Sequence, residues 1–158
     1  MSSLIKVRKA IPDDIDAVVD LYMENADPNW TTLTREAMKM GISKLISDPD
    51  KGYQIVAESG KIIVGLLRLA PEWSPYRQGT FWWVENVYVI PDWRRKVVYT
   101  SMHDFIYEAA KSDNSICGIR LYTDEENYAA RKTYMKVGMH GHMTEQFEID
   151  FVFGSRHR

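Results

Sequence analysis

Residues 127–139 read NYAARKTYMKVGM, a stretch whose spacing predicts a helix with one specialised face. Asn127, Ala130, Arg131 and Tyr134 stand at offsets 0, 3, 4 and 7, so all four lie on the same side of that helix. Polar residues lie at both ends of this face, a small residue lies between them, and a glycine follows the helix. The pattern favours a surface that meets a ligand over one that only fills a core.

The apolar pattern of the remaining chain predicts further helices and strands. Predicted strands cover residues 5–9, 53–58, 61–69, 81–90, 116–123, 139–143 and 145–153. Predicted helices cover residues 12–25, 34–47 and 97–111 besides the stretch quoted above, with Thr34 as N-cap of the second and Asp124 as N-cap of the last. Residues 70–80 are predicted to form a loop. The order is strand, two helices, three strands, helix, strand, helix and two strands.

The composition is that of an ordinary globular protein. The chain has 158 residues, of which 45% are apolar and 27% are charged, and its net charge is -2. This length is sufficient for one core without disulfides or metals, so we expect a single domain over residues 1–158. The charge lacks the basic excess that nucleic-acid binding usually requires, so we expect no nucleic-acid partner.

The sequence gives no indication of secretion or membrane insertion. The first six residues contain no apolar signal segment, and the longest apolar run, residues 62–67, is far too short to cross a bilayer. The only cysteine, Cys117, cannot form an internal disulfide. We therefore expect a cytoplasmic protein with no membrane partner. A homodimer is compatible with the sequence, which carries no signal that decides the oligomeric state.

A basic junction follows the predicted strand 81–90. Arg94, Arg95 and Lys96 stand where the next helix begins, although the positive end of the helix dipole disfavours cations there. An anionic ligand would resolve this conflict, because the first backbone N–H groups of a helix have no partner within it. The alternative is that the three side chains simply point into water. The residues alone leave both interpretations open.

The chain resembles the GNAT acetyltransferases. Residues 127–139 are similar to the last motif of that family, which reads roughly Asn-x-x-Ala-x-x-x-Tyr followed by a glycine and an apolar residue, and the order of elements matches along essentially the whole chain. The resemblance implies an α/β (α+β) fold with a mixed, mostly antiparallel central sheet and about four flanking helices. It also implies transfer of an acetyl group from acetyl-CoA to a primary amine of a small molecule or peptide.

The resemblance further implies a binding site for acetyl-CoA. The family loop Arg/Gln-x-x-Gly-x-Gly/Ala is matched by residues 94–99, which read RRKVVY, so that Val97 and Tyr99 stand where the family has small residues. We expect these two side chains to obstruct the approach of the pyrophosphate to the backbone. A non-catalytic module that has lost normal acetyl-CoA binding is therefore the alternative. The implied cofactor-binding residues are Val87, Tyr88, Val89, Arg94, Arg95, Lys96, Val97, Val98, Tyr99, Asn127, Ala130 and Arg131.

Two residues are candidates for the chemistry. An amine acceptor arrives mostly as ammonium and needs a base before it attacks a thioester. Glu85 stands among Trp82, Trp83 and Val84, and a poorly solvated carboxylate is a stronger base. The family places a glutamate base on the matching strand, and it places a tyrosine near the coenzyme A sulfur, where Tyr134 would protonate the departing thiolate. The alternatives are a glutamate on the wet face of a strand and a tyrosine that packs its helix on the sheet.

Other candidate sites have weaker support. Trp73, Tyr76 and Arg77 in the predicted loop, together with Trp30, are candidates to line the acceptor site, although anchoring of loops to the core explains them equally well. The pattern His-x-His near residue 141 lacks a third ligand at suitable spacing, so we expect no metal site. For Asn127, the alternative to a contact with the pantetheine arm is a local role at the start of its helix.

Overall fold

A single five-stranded sheet organises the computed structural model, which describes residues 4–154. The strands lie in chain order, and β1 to β4 pair antiparallel whereas β4 and β5 pair parallel. The strands are β1 (Ile5–Lys9), β2 (Tyr53–Ser59), β3 (Ile62–Ser74), β4 (Gly79–Val89) and β5 (Ile116–Leu121). The helices are α1 (Ile15–Asn25), α2 (Arg35–Ser47), α3 (Val98–Ser112) and α4 (Tyr128–Lys136). The predicted mixed, mostly antiparallel sheet with four helices is confirmed.

The two faces of the sheet are covered by different helices. Helix α3 covers one face, where Val98, Met102 and Ile106 are buried against Ile55, Ala57, Val64, Leu67, Leu69, Trp82 and Val84. Helices α1 and α2 cover the other face at β2 and β3, where their buried residues Val18, Val19, Leu21 and Ile42 pack on Val56 and Leu66. Adjacent residues such as Val56 and Ala57 of β2, or Leu66 and Leu67 of β3, therefore enter different cores, as the two-residue period of a strand requires. On the second face, Trp83, Glu85 and Tyr88 of β4 remain partly exposed.

Local signals explain how the first two helices begin. Pro12 opens a 3-10 turn, Pro12–Asp14, that leads into α1. Arg8 of β1 donates hydrogen bonds to both Asp14 and Glu58, and its guanidinium lowers the pKa of each carboxyl. Thr34 accepts a hydrogen bond from the backbone nitrogen of Ala37 at 3.1 Å, which confirms its predicted role as N-cap of α2.

The predicted loop 70–80 is wrong, because β3 and β4 extend into a long hairpin. Strand β3 continues to Ser74 and β4 begins at Gly79, which leaves a turn of four residues. The pairing of β2 with β3 ends at Leu69, so the next residues of β3 pair with β4 alone. Pro71 lies in this part of the strand. A proline is tolerated there because its missing N–H group has no second neighbour to bind.

The two predicted closing strands are also wrong. Residues 139–153 contain no strand, and Phe147, Ile149 and Phe151 are exposed by 86%, 78% and 93%. Their alternation with polar residues indicates only that the segment is able to pair, whereas a sheet also requires a neighbouring strand in register. Within residues 4–154, β5 pairs only with β4. The end of the segment is fixed differently, since Phe153 stacks on Trp30 with ring centroids 4.8 Å apart.

No helix within residues 4–154 has the length and apolar character required to cross a bilayer.

Candidate active site

An extra residue in β4 determines how this strand presents its side chains. Arg68 pairs with Glu85, and Leu66 pairs with Tyr88. One residue therefore separates the paired residues on β3, whereas two residues separate them on β4. The exposed Asn86 takes up the extra residue with a φ of 53°. This β-bulge places Glu85 and Tyr88 on the same face, although their spacing in a regular strand would place them on opposite faces. The sequence analysis missed Asn86, and the only signal for it is that asparagine tolerates the left-handed region better than most residues.

The bulge coincides with the separation of β4 from β5. Their pairing ends at Val84 and Leu121, so the β5-facing edge of residues 85–89 has no strand partner within the described part of the chain. An extended ligand is able to bind such an edge as an additional strand, through backbone hydrogen bonds. The predicted residues Val87, Tyr88 and Val89 all lie on this edge. The carbonyl of Val89 already accepts a hydrogen bond from Arg94 Nε at 2.8 Å.

Glu85 is not enclosed by aromatic residues. Trp82 and Val84 point into the core beneath α3, and the Glu85 side chain on the other face is 38% exposed. There it accepts a hydrogen bond from the guanidinium of Arg68, which also donates to the carbonyl of Lys51 at 3.2 Å. Glu85 is therefore a half-exposed carboxylate in an ion pair. This arrangement differs from both the aromatic enclosure and the simple wet face that the sequence suggested.

The basic junction lies on the surface directly before α3. Arg94, Arg95 and Lys96 are all exposed, and no side-chain group caps the helix, which begins at Val98. The Arg94 guanidinium lies 5.5 Å from the ring centre of Tyr88, and the Lys96 ammonium lies 4.8 Å from that of Trp93. Arg95 has a φ of 58° and makes no ion pair or side-chain hydrogen bond with residues 4–154. The junction thus presents three cations and an uncapped helix start to solvent.

The three residues that follow the cations have different environments. The Val97 side chain is 62% exposed and points into solvent, whereas Val98 is buried in the core. Tyr99 packs on Tyr134 of α4, with ring centroids 5.4 Å apart and planes at 65°. Burial, and then the proximity of Tyr134, raise the pKa of Tyr99. Both positions hold small residues in the family loop. Here the Val97 side chain lies in solvent, and the Tyr99 side chain lies between α3 and α4.

Helix α4 begins one turn later than predicted. Asn127, not Asp124, is its N-cap, and the Asn127 side-chain oxygen accepts a hydrogen bond from the backbone nitrogen of Ala130 at 3.2 Å. Asp124 instead forms a turn in which its carbonyl accepts from the Asn127 nitrogen, which keeps residues 124–127 outside the helix. Asn127 therefore has the local role at the start of its helix that was the alternative to a ligand contact. Its capping hydrogen bond uses the side-chain oxygen and not the side-chain nitrogen.

The predicted face of α4 is the face directed toward the protein. Ala130, Arg131 and Tyr134 are half-buried, whereas most of the remaining helix is exposed. Arg131 donates a hydrogen bond to the carbonyl of Glu125 at 3.1 Å, and burial raises the pKa of Tyr134. The aromatic contact with Tyr99 connects this face to α3. Three of the four residues of the predicted face therefore face the protein, whereas Asn127 is exposed. Contact of this face with a ligand stays a prediction.

Comparison with known proteins agrees with this architecture. The sequence profile of the Acetyltransferase (GNAT) family matches residues 15–139. The chain belongs to the GNAT acetyltransferase family. A search of curated protein sequences finds no match.

Several solved structures are similar to this GNAT protein. A possible acetyltransferase from Clostridium difficile 630 is 29% identical, with a TM-score of 0.80 over 93% of this chain and 97% of that chain. Glucosamine-6-phosphate N-acetyltransferase from Arabidopsis thaliana is 21% identical, with a TM-score of 0.72 over 94% and 99% of the two chains. Aminoglycoside N-acetyltransferase AAC(6')-Iy, solved with CoA, is 12% identical, with a TM-score of 0.77 over 96% and 97%. The last two likenesses support the fold alone.

In this GNAT protein, a second cluster lies beside Glu85 on the same face of the sheet. The indole nitrogen of Trp83 donates a hydrogen bond to Glu72, and its ring stacks on Tyr122 with centroids 4.5 Å apart. The Arg120 guanidinium lies 3.5 Å from the ring centre of Phe81 and pairs with Glu72 at 3.6 Å. The sequence analysis did not single out Tyr122 or Arg120, because their proximity follows from the β4–β5 register.

The residues predicted to line an acceptor site are not brought together. Arg77 lies over the ring of Phe81 at 5.0 Å, and Trp73 and Tyr76 are exposed by 62% and 95% on the β3–β4 hairpin. Trp30 instead stacks on Phe153, near the end of the described chain. Arg77 is therefore connected to the cluster around Trp83, through the ring of Phe81.

Proposed function

We propose that this protein transfers the acetyl group of acetyl-CoA to a primary amine of a small molecule or peptide. The observation that carries the proposal is the β5-facing edge of residues 85–89, which has no strand partner within the described chain. This edge begins at Glu85 and leads to the basic junction. An extended ligand with an anionic end fits this edge, because its chain would pair with the strand while its charge reached the cations. Acetyl-CoA combines an amide-containing arm with a pyrophosphate.

The residues present fit this substrate in two regions. Arg94, Arg95, Lys96 and the first backbone N–H groups of α3 would hold the pyrophosphate. The backbone groups of Val97, Val98 and Tyr99 belong to this helix start, and the side chain of Val97 beside them is exposed. Along the arm, the residues that would line the site are Val87, Tyr88 and Val89 on β4 and Asn127, Ala130 and Arg131 on α4.

The proposed reaction is direct attack of the amine on the thioester. Glu85 takes a proton from the acceptor ammonium, directly or through a water molecule. The amine nitrogen then forms a bond to the thioester carbon while an N–H of the β4 edge holds the carbonyl oxygen. The carbon–sulfur bond breaks, Tyr134 donates its proton to the departing thiolate, and the second proton that the attacking nitrogen loses in becoming an amide passes to solvent. The products are an amide and coenzyme A, and Glu85 and Tyr134 exchange protons with solvent to restore the starting state.

Acetyl-CoA binding by calorimetry tests the substrate assignment. We expect binding that weakens as salt rises, since the cations at the junction are exposed. Arg95→Gln removes a cation that has no partner in the described chain and should weaken binding a few-fold. The matched control, Lys61→Gln, removes the same charge from the exposed β2–β3 turn and should leave the affinity unchanged. A folded protein that binds no acetyl-CoA at millimolar concentration would instead be the non-catalytic module.

Two substitutions test the assigned chemistry once an amine from a panel is found to be acetylated. Tyr134→Phe should lower kcat while the acetyl-CoA affinity stays near that of the wild type, because only the proton for the leaving group is lost. Glu85→Gln should remove the acid limb of the pH–rate profile. Wild-type rates in both variants over the whole pH range would show that neither residue has its proposed role.

A further inference from the structure

Two buried polar atoms on one side of α3 have no hydrogen-bond partner among residues 4–154. They are the hydroxyl oxygen of Tyr99 and Nδ1 of His103, which stand one helical turn apart. A buried polar group without a partner is unfavourable, so an unpaired hydroxyl in a folded protein calls for an explanation. The stripe continues to Tyr107, but that residue is 46% exposed. Of the two buried residues, Tyr99 is the one whose ring contacts α4.

The Tyr99 ring belongs to the contact between α3 and α4. It meets the ring of Tyr134 edge-on, with centroids 5.4 Å apart, and the ring of His103 lies 6.1 Å away. Burial and the neighbouring Tyr134 raise the pKa of Tyr99, so this phenol stays protonated and remains a hydrogen-bond donor. His103 is neutral near pH 7, because burial lowers its pKa more than Asp104 raises it.

The proposed reaction creates a need for such a donor. When Tyr134 gives its proton to the thiolate, its oxygen becomes a phenolate in a half-buried position. Burial disfavours that charge, as the raised pKa of Tyr134 indicates. On the α3 side of this contact, His103 is neutral and Tyr99 is a protonated phenol. On α4 itself, the guanidinium of Arg131 donates to the carbonyl of Glu125. A hydrogen bond from the Tyr99 hydroxyl would stabilise the negative oxygen.

We propose that Tyr99 is a positioning residue that orients Tyr134 and donates a hydrogen bond to the Tyr134 phenolate formed on proton transfer. The assignment rests on the proposed function and deepens it. The Tyr99 proton stays on Tyr99, and the Tyr134 proton passes to the coenzyme A sulfur and is later replaced from solvent. The tyrosine that replaces a small residue at position 99 thereby acquires a constructive role instead of an obstructive one.

Tyr99→Phe tests this role because it keeps the ring and removes only the hydroxyl. Without the donor, Tyr134 should release its proton less readily, so kcat should fall about tenfold. The basic limb of the pH–rate profile should move to higher pH. The melting temperature should not fall, since the hydroxyl removed has no partner in the described chain. Tyr107→Phe, on the same stripe but exposed, is the matched control and should change neither kcat nor the profile.

A second measurement does not depend on turnover. In protein labelled with 3-fluorotyrosine, the ¹⁹F signal of Tyr134 is assigned by its loss in Tyr134→Phe, and fluorination lowers the phenol pKa so that titration occurs at milder pH. The Tyr134 signal should titrate at higher pH in Tyr99→Phe than in the wild type. An unchanged titration midpoint of the Tyr134 signal in Tyr99→Phe would overturn the proposed hydrogen bond from Tyr99 to the Tyr134 phenolate. Failure of the wild type to bind acetyl-CoA would instead overturn the proposed function, which keeps the two outcomes distinct.

Discussion

Arg68 donates a hydrogen bond to the Glu85 carboxylate across the β3–β4 ladder, directly before the bulge. The guanidinium is itself held by the carbonyl of Lys51, so the carboxylate has a fixed partner. This contact has two opposing consequences for a general base. It orients Glu85, but it also occupies a carboxylate oxygen that a general base needs to accept a proton. An incoming ammonium would compete with Arg68 for the same oxygen atoms.

Replacement of Arg68 by methionine should therefore lower the rate of the reaction. Without the guanidinium, the Glu85 carboxylate loses the partner that orients it, so kcat should fall several-fold. The measurement is the steady-state kinetics of Arg68→Met beside those of the wild type. Arg35→Met removes an arginine that pairs with Asp16 and Asp20 on the surface, and it should leave kcat unchanged. Equal kcat in Arg68→Met and the wild type would contradict a positioning role for Arg68.

The bulge residue Asn86 offers a second prediction. A residue with φ near 53° is strained unless it is glycine or asparagine, so Asn86→Ala should lower the free energy of unfolding by about 1 kcal/mol. The bulge also directs Glu85, so Asn86→Ala should reduce kcat as well. Asn86→Gly should keep both the free energy of unfolding and kcat near the wild-type values. Gly60→Ala, at φ 63° in the β2–β3 turn, should cost similar stability without loss of activity. Equal kcat in the Asn86→Ala and Gly60→Ala variants would argue against a role of the bulge in catalysis.

Gly52 follows the carbonyl that holds Arg68 and gives a third prediction. It has a φ of 104°, and a Cβ atom there would lie 1.8 Å from the carbonyl oxygen of Leu69. Because backbone must move to accept it, Gly52→Ala should cost about 3 kcal/mol or more in urea denaturation. At Gly60, with a φ of 63°, an added Cβ atom would meet nothing within 4 Å, so Gly60→Ala should cost only about 1 kcal/mol. Similar losses in the two variants would mean that backbone conformation, not the close contact, limits position 52.

The sequence predicted most of the fold because local signals agreed with the tertiary structure. Thr34 caps α2, and the apolar stripe of α3 packs on the sheet as its spacing indicated. Residues 128–136 form the helix that was predicted within residues 127–139. In each case the signal lies within a few residues of the feature it predicts. Periodicity and capping are properties of this kind.

Features that depend on pairing between distant residues could not be predicted in the same way. Arg68 meets Glu85 only because the β3–β4 register and its bulge place them opposite each other. Residues 70–74 of the predicted loop belong to β3 instead, where an edge position tolerates Pro71. Residues 145–153 show the two-residue period of a strand, yet no strand forms there, because alternation does not supply a partner. The environment of the candidate base therefore required the structure.

The buried phenols predict how stability depends on alkaline pH. Burial raises the pKa of Tyr22, Tyr99 and Tyr134 above the ordinary tyrosine value of about 10. Between that value and their folded pKa values, the native state holds protons that the unfolded chain has already released. The free energy of unfolding should therefore decrease as the pH rises above about 10. Denaturant titrations at about pH 8 and about pH 11 measure this decrease.

Tyr22→Phe isolates one of these phenols. The Tyr22 hydroxyl donates to Gln54 at 2.9 Å, so its removal should cost about 1 kcal/mol at pH 8. The further decrease in the free energy of unfolding between pH 8 and pH 11 should be smaller than in the wild type, because one group with a raised pKa is gone. Tyr76→Phe, at a position that is 95% exposed, should lose as much stability over this interval as the wild type. An equal alkaline loss in Tyr22→Phe and the wild type would show that Tyr22 ionises no later in the folded protein than in the unfolded chain.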